Sequence, residues 1–548
     1  MGKVPRKPGQ ERYWSKTSPV DGPWDVIVIG SGMGGMTAAA LLAKLGKKVL
    51  VLEQHYVPGG YTHTFRRKGY VWDVGVHAVG EVTKHSVTGR LLDRLTDGRL
   101  KWESLGPVYD AFHYPGRHEG EDSFHIDFPD SPHRFRDNLV AAFPHEEAAI
   151  DAYIMEVKKV AGTMRGYYLA RVLGGRRGKV ADMLLAREAR KHLTRHTKDV
   201  VAGLTEDPHL RAVFTAQWGY YGSIPARSSW AMQALVVKHF LHGGYYPVGG
   251  SGEIARHLLR TVADAGGWTR ICADVEQILV EDDKVAGVRM ADGEEIRCGT
   301  ALSAAGVLST IRRLLPTEVA DTEWARTANR ENPSSAHVCL YIGFKGDIRQ
   351  AGASAANQWF YDVWEWDGES DSWDISDPDD LADAPCLYCS FPSLKDPEHD
   401  PGEELRHTGE VVTFVPWEVF EKWADTPWRK RGEDYDALKQ KLQDKLLDQF
   451  LRKMPELRPY VDYVELSTPA STETFVRPVA GSIYGIEPTP GRFENPWLRP
   501  KSPLPGLFFG GSEVSTVGVI GAMMGGVLGA AAVAPTAAFQ YIREGERR

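Results

Sequence analysis

An apolar run, Val26-Ile-Val-Ile29, stops at a glycine-rich turn, Gly30-Ser31-Gly32-Met33-Gly34-Gly35. An alanine-rich stretch follows to Gly46, and a second apolar run, Val49-Leu-Val-Leu52, ends on Glu53. This pattern predicts strand, tight turn, helix and strand. Tyr70 to His77 alternates apolar with small or polar residues and predicts a strand leading into a site. A helical periodicity follows Gly249-Gly250-Ser251-Gly252 and runs to Ala265, where Gly266 and Gly267 end it. Cys272 to Val280 predicts a strand, Asp282-Asp283 its turn, and Val285 to Met290 the returning arm of a hairpin. Ala301 to Gly306 and Leu507-Phe-Phe509 are two further short strands. Residues 81–245 and 430–455 carry mostly helical patterns. Residues 357–404 set Trp359, Trp364, Trp366 and Trp373 among many acids, which predicts a strand with a long acidic surface excursion.

The first unit has the plan of a dinucleotide-binding βαβ motif. Gly30 lets the chain turn sharply, Gly32 lets backbone approach a pyrophosphate, and Gly35 lets the helix pack close to the strand. Amides at the helix start, with the positive end of its dipole, offset phosphate charge. Glu53 is placed to accept hydrogen bonds from ribose hydroxyls. Just beyond it, Pro58-Gly59-Gly60 can bring backbone amides near a phosphate or a flat ring. Gly510-Gly511-Ser512-Glu513 follows a strand, and a helix from about Gly518 can aim its amides at an electron-rich ring edge. Nucleotide elements thus return in three separated blocks, the layout of a large flavoprotein rather than of a simple nicotinamide dehydrogenase. FAD is the expected cofactor. The fold class is α/β, with a Rossmann-like FAD-binding domain assembled from residues 24–80, 246–310 and 485–545. An α+β substrate domain is expected from residues 81–245 and 311–484.

Composition narrows the picture. At 548 residues the chain is too long for one compact core. A net charge of −8 argues against a nucleic-acid partner. Five cysteines argue against a disulfide framework and favour a reducing, cytoplasmic setting. Cys386 and Cys389 lie in a strand-like run that turns their sulfurs to opposite faces, so they are expected as core residues and no metal site is expected. Residues 1–23 are polar and mildly basic without an apolar centre, a flexible lead-in rather than a secretory signal. Val514 to Ile542 carries no charge and is long enough to span a bilayer, but its place behind a short apolar strand favours a buried helix against the cofactor. Arg165 to Lys198 is rich in arginine and lysine. A solvated helix face is the first reading, and peripheral contact with an anionic membrane is the alternative.

The blocks together resemble the phytoene desaturase and carotenoid isomerase superfamily of FAD-dependent oxidoreductases, most closely its retinol saturase branch. The resemblance runs from Gly30–Gly35 and Glu53-Gln54-His55 through Gly59-Gly60-Tyr61-Thr62-His63-Thr64-Phe65 and Asp73-Val-Gly75-Val-His77. It continues in His242–Gly250, Ser390–Asp396, Thr426–Gly432, Ala480–Gly485 and Gly510–Gly526. It implies one FAD, contacted along the first two of these stretches, and a lipophilic polyene or isoprenoid-like substrate whose carbon–carbon double bonds are saturated, desaturated or isomerised. It further implies that Glu53 holds the adenosine ribose and that the Val275 backbone sits by the adenine. Gly511 and Glu513 would face the ribitol or pyrophosphate, and Gly521 with Ala522 the flavin ring. Many relatives carry aspartate where this chain has Glu513. The animal saturases carry an N-terminal targeting segment that has no match here, so residence in the endoplasmic reticulum does not transfer.

Saturation needs a hydride and a proton. His63, His77, Glu473 and Tyr484 are the candidate proton donors, each with a plainer reading as a cofactor, loop or turn contact. No second nucleotide motif follows a strand and opens a helix, so reductant, such as NAD(P)H, must enter the substrate pocket or come from a redox partner protein. The branch resemblance favours saturase or isomerase. A desaturase-type dehydrogenase is the alternative, and a flavin amine oxidase a further one.

Overall fold

The computed structural model describes residues 13–172, 175–366 and 372–546, with the side chains of 175–179 and 545–546 excepted. Residues 1–12 of the N-terminal lead and residues 173–174 of the basic segment lie outside the described residues.

Six parallel strands form one sheet in the order Trp14–Ser15, Trp268–Arg270, Val49–Leu52, Val26–Ile29, Ala301–Ser303, Leu507–Phe509. Val26–Ile29 and Val49–Leu52 are buried at every position, as a parallel sheet covered on both faces requires. The helix Met33–Lys44 carries the chain between them. Strand order reverses beside Val26–Ile29, whose neighbours come from residues 49–52 and 301–303. A crevice at the carboxyl ends of such strands is where α/β sheets bind ligands. The hairpin Val275–Glu281 and Lys284–Met290 turns through Asp282 (φ 48°) and Asp283 (φ 58°). A two-residue turn that matches strand twist needs both central residues in this left-handed region, which aspartate tolerates.

A seven-stranded sheet supplies the second half, in the order Val461–Ser467, Ala336–Lys345, Arg406–Val415, Cys386–Ser390, Asn357–Tyr361, Val108–Tyr114, Phe124–Pro129. Side chains alternate between its faces. Leu340, Ile342, Phe344, Leu387, Cys389 and Val411 pack on one side against Leu442, Leu446 and Phe450 of the helix Glu433–Lys453. Phe112, Trp359, Cys386, Tyr388 and Phe414 pack on the other, towards the helices between residues 132 and 240. Cys386 and Cys389 therefore belong to different cores.

Three expectations change. Residues 81–245 are mostly helical, beginning with Val87–Leu95, but three strands interrupt them: Trp102–Ser104, Val108–Tyr114 and Phe124–Pro129. The run Val-Tyr-Asp-Ala-Phe-His-Tyr alternates and finds partners on both sides, Asn357–Tyr361 and Phe124–Pro129. Residues 357–404 do leave the strand Asn357–Tyr361 as a long acidic stretch, of which 367–371 lie outside the described residues, but its tryptophans turn inward. Trp373 is buried, and Trp364 stacks on Tyr114 with ring centroids 4.4 Å apart. The uncharged stretch 514–542 is two helices, Gly518–Val533 and Pro535–Glu546, because Pro535 cannot continue the first. Among the described residues no helix is long and apolar enough to cross a membrane.

Candidate active site

The glycine turn, the helix Gly518–Val533 and the seven-stranded sheet enclose a cavity of ≈ 2060 Å³. That is about twice the upper end for a single small-molecule site, space for a cofactor and a substrate together. Its two walls differ in chemistry.

The first wall is backbone. The helix Met33–Lys44 begins at Gly32 with no side-chain cap, and its leading amides face the cavity. A Cβ on Gly32 would meet no atom within 4 Å, so the glycine leaves open space beside those amides. A Cβ on Gly35 would lie 2.0 Å from the Gly30 carbonyl oxygen, so only glycine lets this helix sit so near the strand end. The Glu53 carboxylate is buried and accepts hydrogen bonds from the Ser31 amide (2.9 Å), the Ser31 hydroxyl (2.6 Å) and the His55 amide (2.8 Å). Ser31 Oγ in turn accepts from the Gly59 amide at 3.1 Å, tying the two glycine loops together.

Most residues expected at the cofactor line this wall. Gly30 to Gly34, Glu53, Gln54, His55, Gly60, Tyr61, Thr62 and His63 face the cavity. Val275, Gly511, Glu513, Gly521 and Ala522 join them. Gly35, Gly59 and Thr64 stand behind the lining: Gly59 takes φ 130° so that its loop can turn, and Thr64 opens a strand. Glu513 is gripped from behind, accepting from the amides of Val307 and Leu308, and burial raises its pKa against the nearby Arg492 guanidinium. These features match what FAD needs: uncapped amides for its phosphates, a fixed carboxylate for its ribose, and glycines where its flat ring must approach backbone.

The second wall is the aromatic face of the seven-stranded sheet. Trp359, Cys386, Tyr388, Val412 and Phe414 line it, joined by Tyr220, His337 and Tyr484.

The four candidate proton donors divide by geometry. His63 Nδ1 lies 2.5 Å from the Gly60 carbonyl oxygen, so its proton is engaged there, and burial lowers its pKa to about 4. Tyr484 donates its hydroxyl to the Gly219 carbonyl at 3.2 Å. Glu473 does not reach the cavity lining; it is ion-paired with Arg313, which does. His77 lines the cavity, and its Nδ1 lies 2.8 Å from Oε2 of the fully buried Glu410.

Behind His77 the structure assembles a buried ionisable group that sequence reasoning missed: Asp73, Asp110, Lys395 and Glu410. Burial raises Glu410 to about 8, Asp73 to about 7 and Asp110 to about 6. It lowers Lys395 to about 8 and His77 to about 3. A signal did exist. Glu410 stands in a strand run, Thr-Gly-Glu-Val-Val-Thr-Phe, that is otherwise apolar or small, and a lone charge in such a run is costly unless paired.

Residues 33–534 match the family model for flavin-containing amine oxidoreductases. The chain is 32% identical over 520 residues to an all-trans-retinol 13,14-reductase of Danio rerio, covering 91% of this chain and 84% of that protein. It is 25% identical to a chloroplastic prolycopene isomerase of Daucus carota, covering 85% and 72% respectively. Among solved structures, an oxidoreductase from Methanosarcina mazei superposes with a TM-score of 0.61 at 15% identity over 91% of this chain and 98% of that one, a likeness of fold.

Proposed function

The chain belongs to the flavin-containing amine oxidoreductase family, and on that premise we propose that it is an FAD-dependent oxidoreductase acting on carbon–carbon double bonds of a polyene or isoprenoid-like lipid, as a saturase or an isomerase. Relatives named for retinol reduction and prolycopene isomerisation support this reading. So does the motif resemblance, which falls in the same superfamily and branch.

One observation carries it: a cavity with a backbone-amide wall for the cofactor facing an aromatic wall for an extended apolar ligand. Bound FAD supplies hydride exchange with carbon. The rest falls to the chain. The amides after Gly32 hold anionic oxygens, and Glu53 fixes the ribose. Trp359, Tyr388 and Phe414 give a polyene flat apolar surfaces and keep water away. His77, with Nδ1 turned to Glu410, is positioned to exchange a proton with the ligand.

The test is anaerobic reduction of the flavoprotein followed by mixing with all-trans-retinol, prolycopene or unsaturated fatty acids, and separate mixing of the oxidised flavoprotein with amines. Reoxidation of the flavin by retinol with loss of one double bond is expected of a saturase. Isomerised prolycopene without net reoxidation is expected of an isomerase. Reduction of the oxidised flavin by amines, with no response to the polyenes, would make the protein an amine oxidase, and no response to any of them would leave a flavoprotein scaffold. Electrons for steady turnover come, on this reading, from a nicotinamide or a redox protein.

The lipid also needs an entrance. Leu169 and Val172 line the cavity on the helix Glu147–Val172, and the next helix leaves Val180, Met183, Leu184 and Leu185 exposed. Arginines and lysines follow at 187, 190 and 191. This apolar and basic surface supports peripheral contact with an anionic membrane. Flotation with phosphatidylserine vesicles checks it: salt-sensitive binding that is lost on changing Met183 and Leu184 to Asp is expected, and no binding rejects it.

A further inference from the structure

The cavity face of the seven-stranded sheet changes character along its strands. Aromatic residues fill the levels of Trp359 and Tyr361, and the level at Asn357 is polar. Asp110 pairs in register with Asn357, and Ser390 with Glu410, so a polar row crosses four strands. Lys395, 3% exposed, closes the row. Its Nζ donates to Asn357 Oδ1 at 2.5 Å, Ser390 Oγ at 2.7 Å and the His77 carbonyl at 2.8 Å. Asp73 enters from a separate two-stranded hairpin, Thr64–Arg67 with Tyr70–Asp73. Its amide donates to Glu410 Oε1 at 2.9 Å, and its carboxylate accepts from the hydroxyls of Tyr246 and Ser251. Asp110 accepts from Tyr220 at 2.7 Å, from Asn357 at 2.9 Å and from Gln217 at 3.4 Å.

Three carboxyl groups and one amine share this closed compartment. Three buried carboxylates facing one ammonium cannot all be ionised, so the row must hold protons at neutral pH. Of its six carboxyl oxygens, five have hydrogen-bond donors. The sixth, Glu410 Oε2, has none and lies 2.8 Å from His77 Nδ1, which likewise has no hydrogen-bond partner, so a proton on Oε2 is the one group that could serve both atoms. The row's one open acid position thus points at the imidazole that lines the cavity.

We propose that Glu410 is the proton source for the double-bond chemistry, delivering its proton through His77, while the Asp73 amide holds its carboxyl in place and the Lys395 charge favours its ionised form. The inference rests on the double-bond reading above and adds the route of the proton. The π bond breaks. FAD, held by the amides after Gly32 and by Glu53, would in its reduced form supply one carbon with a hydride and its electron pair and would itself be oxidised. The other carbon receives the proton on His77 Nε2 as Nδ1 takes the proton leaving Glu410 Oε2. Glu410 is left as a carboxylate facing the Lys395 ammonium until water restores its proton, and a nicotinamide or redox-protein donor restores the flavin. His77 is the catalytic residue, and Glu410 acts through it. Its low pKa keeps the imidazole neutral, the state that can accept at one nitrogen while donating at the other. Asp73, Lys395, His337 and Tyr388 face this pair, and Tyr246, Cys339 and Tyr341 face Glu410 from the neighbouring strands.

The FAD-loaded full chain tests this as wild type, Glu410→Gln, Glu410→Asp and Lys395→Met. The first readout is an infrared pH titration of the protonated-carboxyl stretch, which needs no substrate. A band that disappears near pH 8 in the wild type and is missing from Glu410→Gln is expected. The second is single-turnover reoxidation of reduced flavin by all-trans-retinol across about pH 6 to 9, where loss of a general acid slows the rate by about 10²-fold. Glu410→Gln should show that loss without the fall at high pH, Glu410→Asp should recover part of the rate, and Lys395→Met should displace the pH profile. Glu410→Gln reoxidised at the wild-type rate with an unchanged profile would overturn the proton route and leave the double-bond reading standing. A wild-type flavin that no polyene reoxidises would overturn that reading and the delivery step with it.

Discussion

At the scale of residues, the site is governed by groups denied their preferred protonation state. Glu410 and Asp73 are pushed up to about 8 and about 7 because ionisation would strand a charge away from water. The sign of the consequence is fixed. Between the unfolded carboxyl value and these folded values the native state binds protons that the unfolded chain has released, so stability falls as pH rises. Histidines oppose this trend only below about pH 6.5, where the unfolded imidazole takes up a proton. His63, His77 and His337 are lowered to about 4, 3 and 4 and stay neutral in the fold. Lys395, lowered to about 8, opposes it only above that value. From about pH 6.5 to 8 the carboxyls act alone, and unfolding stability should fall by about 1–2 kcal/mol for each. Denaturant midpoints across that interval measure it. Glu410→Gln should flatten the slope, and a slope identical to wild type would assign it elsewhere. The residue scale is also where the sequence was least legible. Lys395 stood inside a stretch that resembled the saturase branch, and Asp73 opened another, yet nothing local joins Asp73 to Lys395 and Glu410. Their meeting is decided by strand register.

At the scale of elements, the cofactor wall depends on two helices that touch through glycine. A Cβ on Gly34 would come 2.4 Å from Gly511 Cα, one on Gly525 1.8 Å from the Gly511 oxygen, and one on Gly526 2.2 Å from the Gly34 oxygen. In each case the obstacle is backbone, which cannot rotate aside. Gly526→Ala should force the helices Met33–Lys44 and Gly518–Val533 apart at a cost of about 1–3 kcal/mol. The expected result is a lowered Tm together with flavin lost on dialysis; full flavin content at an unchanged Tm would show that the contact is slack. These elements were readable because their signals are local: an apolar run, a glycine spacing, an acid at the next strand end. The glycines of the second helix were visible too, but their purpose was not, since glycines pack helices in membranes as well as beside a nucleotide. Arg406–Val415 was harder. Its neighbours are residues 336–345 and 386–390, and a strand buried on both faces loses the alternation that would have announced it.

At the scale of the whole molecule, the cofactor sheet draws strands from residues 14–15, 26–29, 49–52, 268–270, 301–303 and 507–509, and the cavity sheet comes from the two long intervals, 52–268 and 303–507. Neither sheet is contiguous in the chain. The flavoprotein layout was legible because nucleotide signals recur in blocks far apart. The opposing sheet was not, because it has no motif and is defined by pairings between residues as distant as 111 and 358. The strand Cys386–Ser390 shows what this construction entails. Cys386 faces the hollow and Cys389 the packed side beneath the long helix, one strand's thickness apart. A guest lying on the first surface braces the second. Occupancy and rigidity are thereby one property, and the empty protein should be the softer form, most easily melted when it has nothing to hold.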